Sequence, residues 1–379
     1  MKIINPNNYG GLLFDEKEKK AVEKVIDNQM IFRYGSAKKS SVDIFEEELK
    51  HIVGTKYALG ISNGTAGLIT ALVGIGIKPG DRVLVSSFTF LATALAVKIL
   101  GAIPIPIEID IYKGLNKEDL ETELKKGCKA VIIVQLQGRC YDLKDTKKLI
   151  HKYGAILIED SCQSFASKYQ KEYAGTIGDI GVYSFQQFKQ ITCGEGGAIV
   201  TNNEEYYHRM RNYSDMGSER ELFPNWNSEK TLIGQNYRMN NISGSILIEQ
   251  LKKLNTILNK QQQSRNYILR KINNKRIINS SDPSGDTGMN VLIQLNSKEH
   301  FDDVKASGID CGIEVRRMWN GLYYDNDLFK REKLTAIDLK GKECINTQNI
   351  IDKMAVISIP PTLGIKECDK IIEFINKID

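Results

Sequence analysis

Two short runs constrain this chain more than any other feature. Ala130-Val-Ile-Ile-Val134 and Ala155-Ile-Leu-Ile158 are apolar at every position. A strand with one wet face alternates apolar and polar residues. A run without alternation is buried on both faces, as in a parallel sheet covered by helices. Similar short segments precede and follow: Tyr57–Ile61, Arg82–Ser86, Ile103–Ile107, Gly181–Phe185 and Gly197–Val200. Helical patterns lie between the early ones, at 68–75 after the turn Ser62–Gly67, and at 90–100. Strands alternating with helices predict an α/β fold around a mostly parallel sheet.

Two helices are expected ahead of that series. Asp15-x-x-Glu18 is a capping box, followed by a stripe of Ala21, Val22, Val25 and Ile26. A second helix is expected over 42–53, with Phe45, Leu49 and Ile52 inward. After Asn241 the pattern changes. Leu247, Leu251, Leu254 and Leu258 recur at helical spacing, with Glu249, Lys252, Lys253 and Lys260 on other faces, which marks a long amphipathic helix. The expected division is a large domain over 1–245 and a smaller α+β domain over 246–379, with strands at 289–295 and 356–359.

Composition removes several classes of function. The chain has 379 residues, 41% hydrophobic and 26% charged, ordinary for a globular protein. A net charge of +5 with no Lys/Arg block is weak support for nucleic-acid binding and compatible with an anionic small molecule. Seven cysteines without a Cys-x-x-Cys pair suggest reduced thiols and a cytoplasmic protein. The first residues show no apolar signal segment. The most apolar stretch, 91–111, is broken by Lys98, Gly101, Pro104 and Pro106, so no membrane span is expected. No metal site is expected either.

Four features carry possible chemistry, and each has a plainer reading. Gly64-Thr65 stands between a strand and a helix, where backbone N–H groups and the helix dipole favour an anion; most such turns are only turns. Asp160 ends a buried strand, where open α/β sheets place ligands. It could hold a cationic ring nitrogen or merely cap the next helix; Glu159 should point the other way. Lys189 follows a buried strand and precedes Gly194-Glu-Gly-Gly197. Desolvated, it could be a Schiff-base nucleophile; most lysines are solvated surface residues. Gly234-Gln-Asn236-Tyr-Arg238 joins an amide to a guanidinium just before the long helix, and could equally be a capped loop. A phosphate cradle, an acid for a ring nitrogen and a lysine for an aldehyde are the three handles of pyridoxal phosphate.

The stretch from Ser62 to Met239, above all Ser184-Phe-Gln-Gln-Phe-Lys189…Gly194-Glu-Gly-Gly197, resembles the DegT/DnrJ/EryC1/StrS sugar aminotransferases. The resemblance extends from the N-terminal helix to Ile357-Ser-Ile-Pro-Pro361. It implies a fold type I pyridoxal-phosphate transferase: a mostly parallel seven-stranded large domain and a smaller C-terminal α+β domain. It implies that Lys189 bonds the cofactor and shuttles the proton, and that Asp160 pairs with the ring nitrogen. Gln163 would bond the phenolic oxygen and Phe90 would stack on the ring. Gly64, Thr65 and Ser184 would hold the phosphate, joined by Asn236 from the partner subunit, so a homodimer with shared sites is implied. The small-molecule partners would be glutamate and a keto- or aldehydo-sugar.

One branch of the family has histidine at the lysine position and dehydrates sugars; Lys189 speaks against that activity. A non-catalytic binding protein on the same fold is the other alternative. Two segments depart from the family pattern at positions implied to meet the sugar: Gln135-Leu-Gln-Gly138-Arg139 and Arg316-Arg317-Met-Trp-Asn320. A narrower likeness, through Phe32-Arg33-Tyr34, Ile191-Thr-Cys-Gly-Glu-Gly-Gly197, Ser214-Asp-Met-Gly217 and Gly308–Gly312, is to the branch that aminates an 8-oxo octulosonate for lipopolysaccharide. Arg33, Tyr34, Arg316 and Arg317 are the candidate substrate residues, since guanidinium forks match carboxylates. Their plainer reading is ordinary ion pairing.

Overall fold

The computed structural model describes residues 13–34, 39–220, 224–318, 322–331 and 343–378. Helices α1 (Glu16–Asp27) and α2 (Ser41–Val53) come first. The following segments alternate: β1 (Tyr57–Ile61), α3 (Gly64–Gly74), β2 (Arg82–Ser86), α4 (Leu91–Ile99), β3 (Ile103–Ile107), α5 (Lys117–Lys125), β4 (Ala130–Val134), α6 (Lys144–Lys152) and β5 (Ile156–Asp160). A two-residue ribbon, β6 (Lys168–Tyr169) with β7 (Glu172–Tyr173), leads to β8 (Ile180–Ser184) and β9 (Gly197–Thr201). The seven longer strands form one sheet in the order β1-β9-β8-β5-β4-β2-β3. The pairs β2–β3, β2–β4, β4–β5 and β5–β8 are parallel, and β9 is antiparallel to both its neighbours. β9 alone therefore runs against the rest.

Both faces of this sheet are covered, as the apolar runs require. Ala130 and Ile132 pack on the side of α3 and α4, while Val131 and Ile133 pack on the opposite side with Leu120 of α5 and Ile150 of α6. That opposite face continues under α2, where Phe45 and Leu49 are fully buried. Ile52 is only half-buried.

The expected stripe of α1 is not a fully apolar contact. Val25 is buried, Ala21 and Val22 are half-buried, and Ile26 is 52% exposed. The helix docks instead through buried Glu18. Its carboxylate completes the capping box on the Asp15 amide (2.9 Å) and also accepts from Gln250 Nε2 and Lys253 Nζ, both at 2.7 Å. A polar anchor serves where four apolar residues were expected because Glu18 already faces a cation.

Beyond the large sheet come α7 (Glu204–Ser214) and the ribbon β10 (Glu219–Arg220) with β11 (Pro224–Asn225). Helix α8 (Asn241–Lys271) then runs 31 residues. Leu247, Leu251, Leu254 and Ile257 bury on its early turns, and Ile268 buries near its end among the C-terminal elements. Those elements are β12 (Asn290–Gln294), α9 (Lys298–Asp310), β13 (Val315–Arg316), α10 (Asp327–Arg331), α11 (Ile345–Asp352), β14 (Met354–Ser358) and α12 (Ile365–Asn376). They build a three-stranded antiparallel sheet ordered β12-β14-β13. One face of it packs on α9 and α12. The other, through Leu292, Met354 and Val356, meets Phe88, Val134 and Leu136 of the large sheet's loops. That second contact closes one wall of the site. Among the described residues no helix is long and apolar enough to cross a membrane, and no group of three His, Cys, Asp or Glu forms a metal site. All seven cysteines are free thiols.

Candidate active site

The ends of β5 and β8, the start of α3 and the start of α4 converge on a cavity of about 940 Å³. Helix α3 begins earlier than the sequence suggested. Asn63 is its N-cap, its side-chain oxygen accepting from the Ala66 amide at 2.8 Å, so Gly64 to Gly67 are already helical. The first amides of a helix have no intrahelical acceptor. At Gly64 and Thr65 they belong to residues lining the cavity, where dipole and donors together would suit an anion. Gly64 is required by space: a Cβ there would lie 2.8 Å from Cys162 Sγ and 3.0 Å from Ser184 Cβ. Ser184, the last residue of β8, lines the same corner.

Asp160 is the last residue of β5, buried, and faces the cavity. No helix follows it, since residues 161–167 form turns, so the capping role does not apply. Its Oδ2 accepts from Thr93 Oγ1 at 2.7 Å and its Oδ1 from the Cys162 amide at 3.2 Å. Glu159 does point to the other face of the strand. It accepts from Gln135 Nε2 and the Gly175 amide, both at 2.8 Å, and from the Gly178 amide.

Lys189 sits in the connection between β8 and β9. That loop is pinned by backbone bonds from Phe185 to Gly196 (2.8 Å), Gln187 to Gly194 (2.9 Å) and Cys193 to Phe185 (3.1 Å). Gly194 takes φ +87°, a left-handed turn that suits glycine. Lys189 is half-buried and lines the cavity with Asp160. Burial first, then the charge of Asp160, pushes the Cys162 thiol well above its ordinary value, while Lys189 acts the other way. One neutral thiol thus feels both charges. Phe90 is the N-cap residue of α4 and is 57% exposed at the cavity wall, an apolar ring offered to a ligand. Gln163 lines the same cavity.

Two of the four candidate substrate residues are in place and two are elsewhere. Arg316 and Arg317 line the cavity; Arg316 donates to Ser358 Oγ at 2.5 Å, and Arg317 to the Lys298 carbonyl at 2.9 Å. Trp319 and Asn320 lie outside the described residues. Arg33 is buried against Glu46 (2.6 Å) and Asp43 (3.2 Å), outside the cavity lining, so ordinary ion pairing describes it within this chain. Tyr34 lies between the guanidinium groups of Arg33 and Arg220, also outside the lining. Asn236 is exposed and likewise apart from the lining. Its backbone bridges Asp215, which pairs with Arg220 at 2.6 Å and with Arg238.

Other lining residues went unnoticed in the sequence. Thr89, Thr93, Tyr237 and Asn290 belong to the cavity. Asn290 donates to Gln137 Oε1 at 2.6 Å, joining the departing segment 135–139 to the C-terminal sheet. Thr93 had a usable signal: a lone hydroxyl within the apolar helix Leu91-Ala-Thr-Ala-Leu-Ala-Val97.

These groups fit pyridoxal phosphate. Free helical amides and Ser184 suit its phosphate, Asp160 its ring nitrogen, Phe90 its ring face and Lys189 its aldehyde. Replacing Gly64 by alanine should fill the cradle. The expected result is at least tenfold weaker affinity for pyridoxal phosphate, about 1.4 kcal/mol, measured by absorbance titration of the apoprotein.

Comparison with known proteins agrees with this geometry. Residues 13–376 match the DegT/DnrJ/EryC1/StrS aminotransferase family. The chain is 33% identical over 302 residues to a GDP-perosamine synthase of Escherichia coli O157:H7, covering 79% of this chain and 81% of that one. It is 33% identical over 209 residues to a UDP-2-acetamido-2-deoxy-3-oxo-D-glucuronate aminotransferase of Pseudomonas aeruginosa, covering 55% and 56%. Among solved structures, the E. coli GDP-4-keto-6-deoxy-D-mannose-3-dehydratase with bound hydrated PLP superposes with TM-score 0.84 at 22% identity, covering 99% and 100% of the chains. That last likeness speaks to the fold alone. The match over nearly the whole length decides the family: this chain belongs to the DegT/DnrJ/EryC1/StrS aminotransferases.

Proposed function

We propose that the protein moves an amino group from L-glutamate to a keto- or aldehydo-sugar, with pyridoxal phosphate held between Gly64-Thr65, Asp160 and Lys189. The carrying observation is that one cavity gathers an anion cradle, a buried carboxylate and a half-buried lysine. When bound, the cofactor supplies an electron sink that stabilises negative charge at the substrate carbon. The protein supplies the rest. Lys189 Nζ would take the proton from the substrate Cα and deliver it to C4′ of the cofactor, two atoms away, a general acid–base step worth roughly 10²–10⁴-fold. Asp160 holds the ring-nitrogen proton, Gln163 the phenolic oxygen, Ser184 and the α3 amides the phosphate, and Phe90 covers the ring. The C-terminal sheet closes the cavity through Asn290 and Val356 and limits water at the reacting atoms. The units doing this are 1–245 for the cofactor and 246–379 for the closing wall.

The oxo nucleotide sugar in the name of the Pseudomonas relative supports a nucleotide-linked acceptor. Arg316 and Arg317 favour a carboxylate on acceptor or donor, which also keeps an 8-oxo octulosonate among the acceptors. The exposure of Asn236, beside its bridge to Asp215, supports a role in a second subunit's phosphate site within a homodimer; the mass in solution tests the dimer. Family membership sets aside a non-catalytic binding role. Against the dehydratase reading stands Lys189 itself. The discriminating experiment adds glutamate alone to the loaded enzyme. Full conversion of the cofactor spectrum to the amine form, reversed by an oxo-sugar, is expected; sugar turnover without glutamate would reverse the assignment. Arg317→Ala should raise KM for the carboxylate-bearing substrate about tenfold with a smaller change in kcat, the pattern of lost ground-state binding.

A further inference from the structure

We infer that Thr93, backed by Thr89, is a positioning residue that holds Asp160 in its cofactor-facing orientation. The inference rests on the reading of Asp160 given above. Thr93 lies in the first turn of α4 and is fully buried, yet its hydroxyl reaches across to Asp160 Oδ2 at 2.7 Å. Thr89 Oγ1 lies 2.7 Å from Thr93 Oγ1, and 3.3 Å from the Phe90 carbonyl oxygen. Three oxygen-bearing side chains therefore form a line from the loop that presents Phe90 to the acid.

Proton counting gives the line a direction. An ionised carboxylate only accepts. Thr93 must then give its one hydrogen to Asp160, and Thr89 gives its own to Thr93. Both bonds are 2.7 Å, the favoured length for O–H···O. Hydrogen bonds to an ionised group are also roughly twice as strong as neutral ones. Buried among apolar neighbours, such a short relay strengthens each member. The relay thus fixes Oδ2 of the acid proposed to face the ring nitrogen.

Thr93→Val keeps the branched shape and deletes the hydroxyl; Thr93→Ser keeps the hydroxyl. Apoproteins of wild type, both variants and Asp160→Asn are melted, then titrated with pyridoxal phosphate by absorbance from pH 6 to 9. Thr93→Val is expected to melt close to wild type but to bind roughly tenfold more weakly, and the pH midpoint of its bound-cofactor band should move by about half a unit. Thr93→Ser should regain the affinity to within about threefold, a difference of under 1 kcal/mol. Wild-type affinity and midpoint in Thr93→Val, with Asp160→Asn impaired, would overturn the relay alone. Wild-type binding by Asp160→Asn would overturn the reading of Asp160 and the relay with it. If Thr93→Val does not fold, Thr89→Val is decisive: a weaker shift of the same sign supports the relay, and no shift refutes it.

Discussion

Alanine at position 189 should leave an enzyme that still binds pyridoxal phosphate but transfers essentially no amino group. The half-buried amine is the one lysine lining the described cavity, beside Asp160. Removing it takes away both the attachment to the aldehyde and the base that moves the proton. The proton step alone is worth roughly 10²–10⁴-fold, and losing the attachment adds to that, so kcat should fall by at least about 10⁴-fold. The phosphate cradle and Asp160 remain, and binding weakens far less. Two measurements check this. Steady-state transfer from glutamate reads the rate. Borohydride treatment of the loaded wild type followed by peptide mapping should mark Lys189, and the variant should carry no mark. A mark on another lysine, or a variant within tenfold of wild-type turnover, would contradict the assignment.

The neighbouring carboxylates Glu159 and Asp160 should fail in opposite ways. Glu159 is fully buried on the far face of β5, where three N–H donors converge on it from Gln135, Gly175 and Gly178. Glu159→Ala strands all three. Each stranded buried group costs about 1–3 kcal/mol, and water entering the gap recovers part of that. A net loss of about 3–5 kcal/mol is expected, or a fall in Tm of roughly 4–6 °C in a chain of this size. Glu159→Gln should lie between, since its NH₂ must face at least one donor. Asp160→Ala should instead lose cofactor affinity, with the smaller drop in Tm. Thermal melts of the apoproteins and cofactor titrations separate the two. Equal melting of Glu159→Ala and wild type would show that those bonds carry no stability.

The pleat explains this division, and it is also why part of the site was legible. Successive strand residues point to opposite faces. Placing Asp160 at the end of an apolar run therefore told which carboxylate meets the cavity and which the packed interior. The mostly parallel sheet, covered on both faces, was readable for the same reason: Ala130–Val134 and Ile156–Ile158 leave no polar face to expose. The Gly64 cradle was readable as glycine at a strand end, whereas Lys189, in the connection between β8 and β9, drew its role from the motif resemblance.

Other features depended on partners far along the chain. Arg33 looked like a candidate for an anion. Its fate was decided by Glu46 and Asp43, thirteen and ten residues later on a facing helix. Ile26 looked like core, but Glu18 had already taken the contact with α8. Thr93 meets Asp160 across 67 positions, and Asn290 meets Gln137 across 153.

Sequence by itself determined the layered α/β fold, because periodicity is a local consequence of backbone geometry, and its motifs carried the resemblance to the family that the match over 13–376 shows. Tertiary structure decided which arginines face the cavity, what holds Asp160 and which residues from the C-terminal sheet close the wall. Side-chain pairing depends on distances between segments that no local pattern encodes. A charge is committed only when the fold brings it a partner.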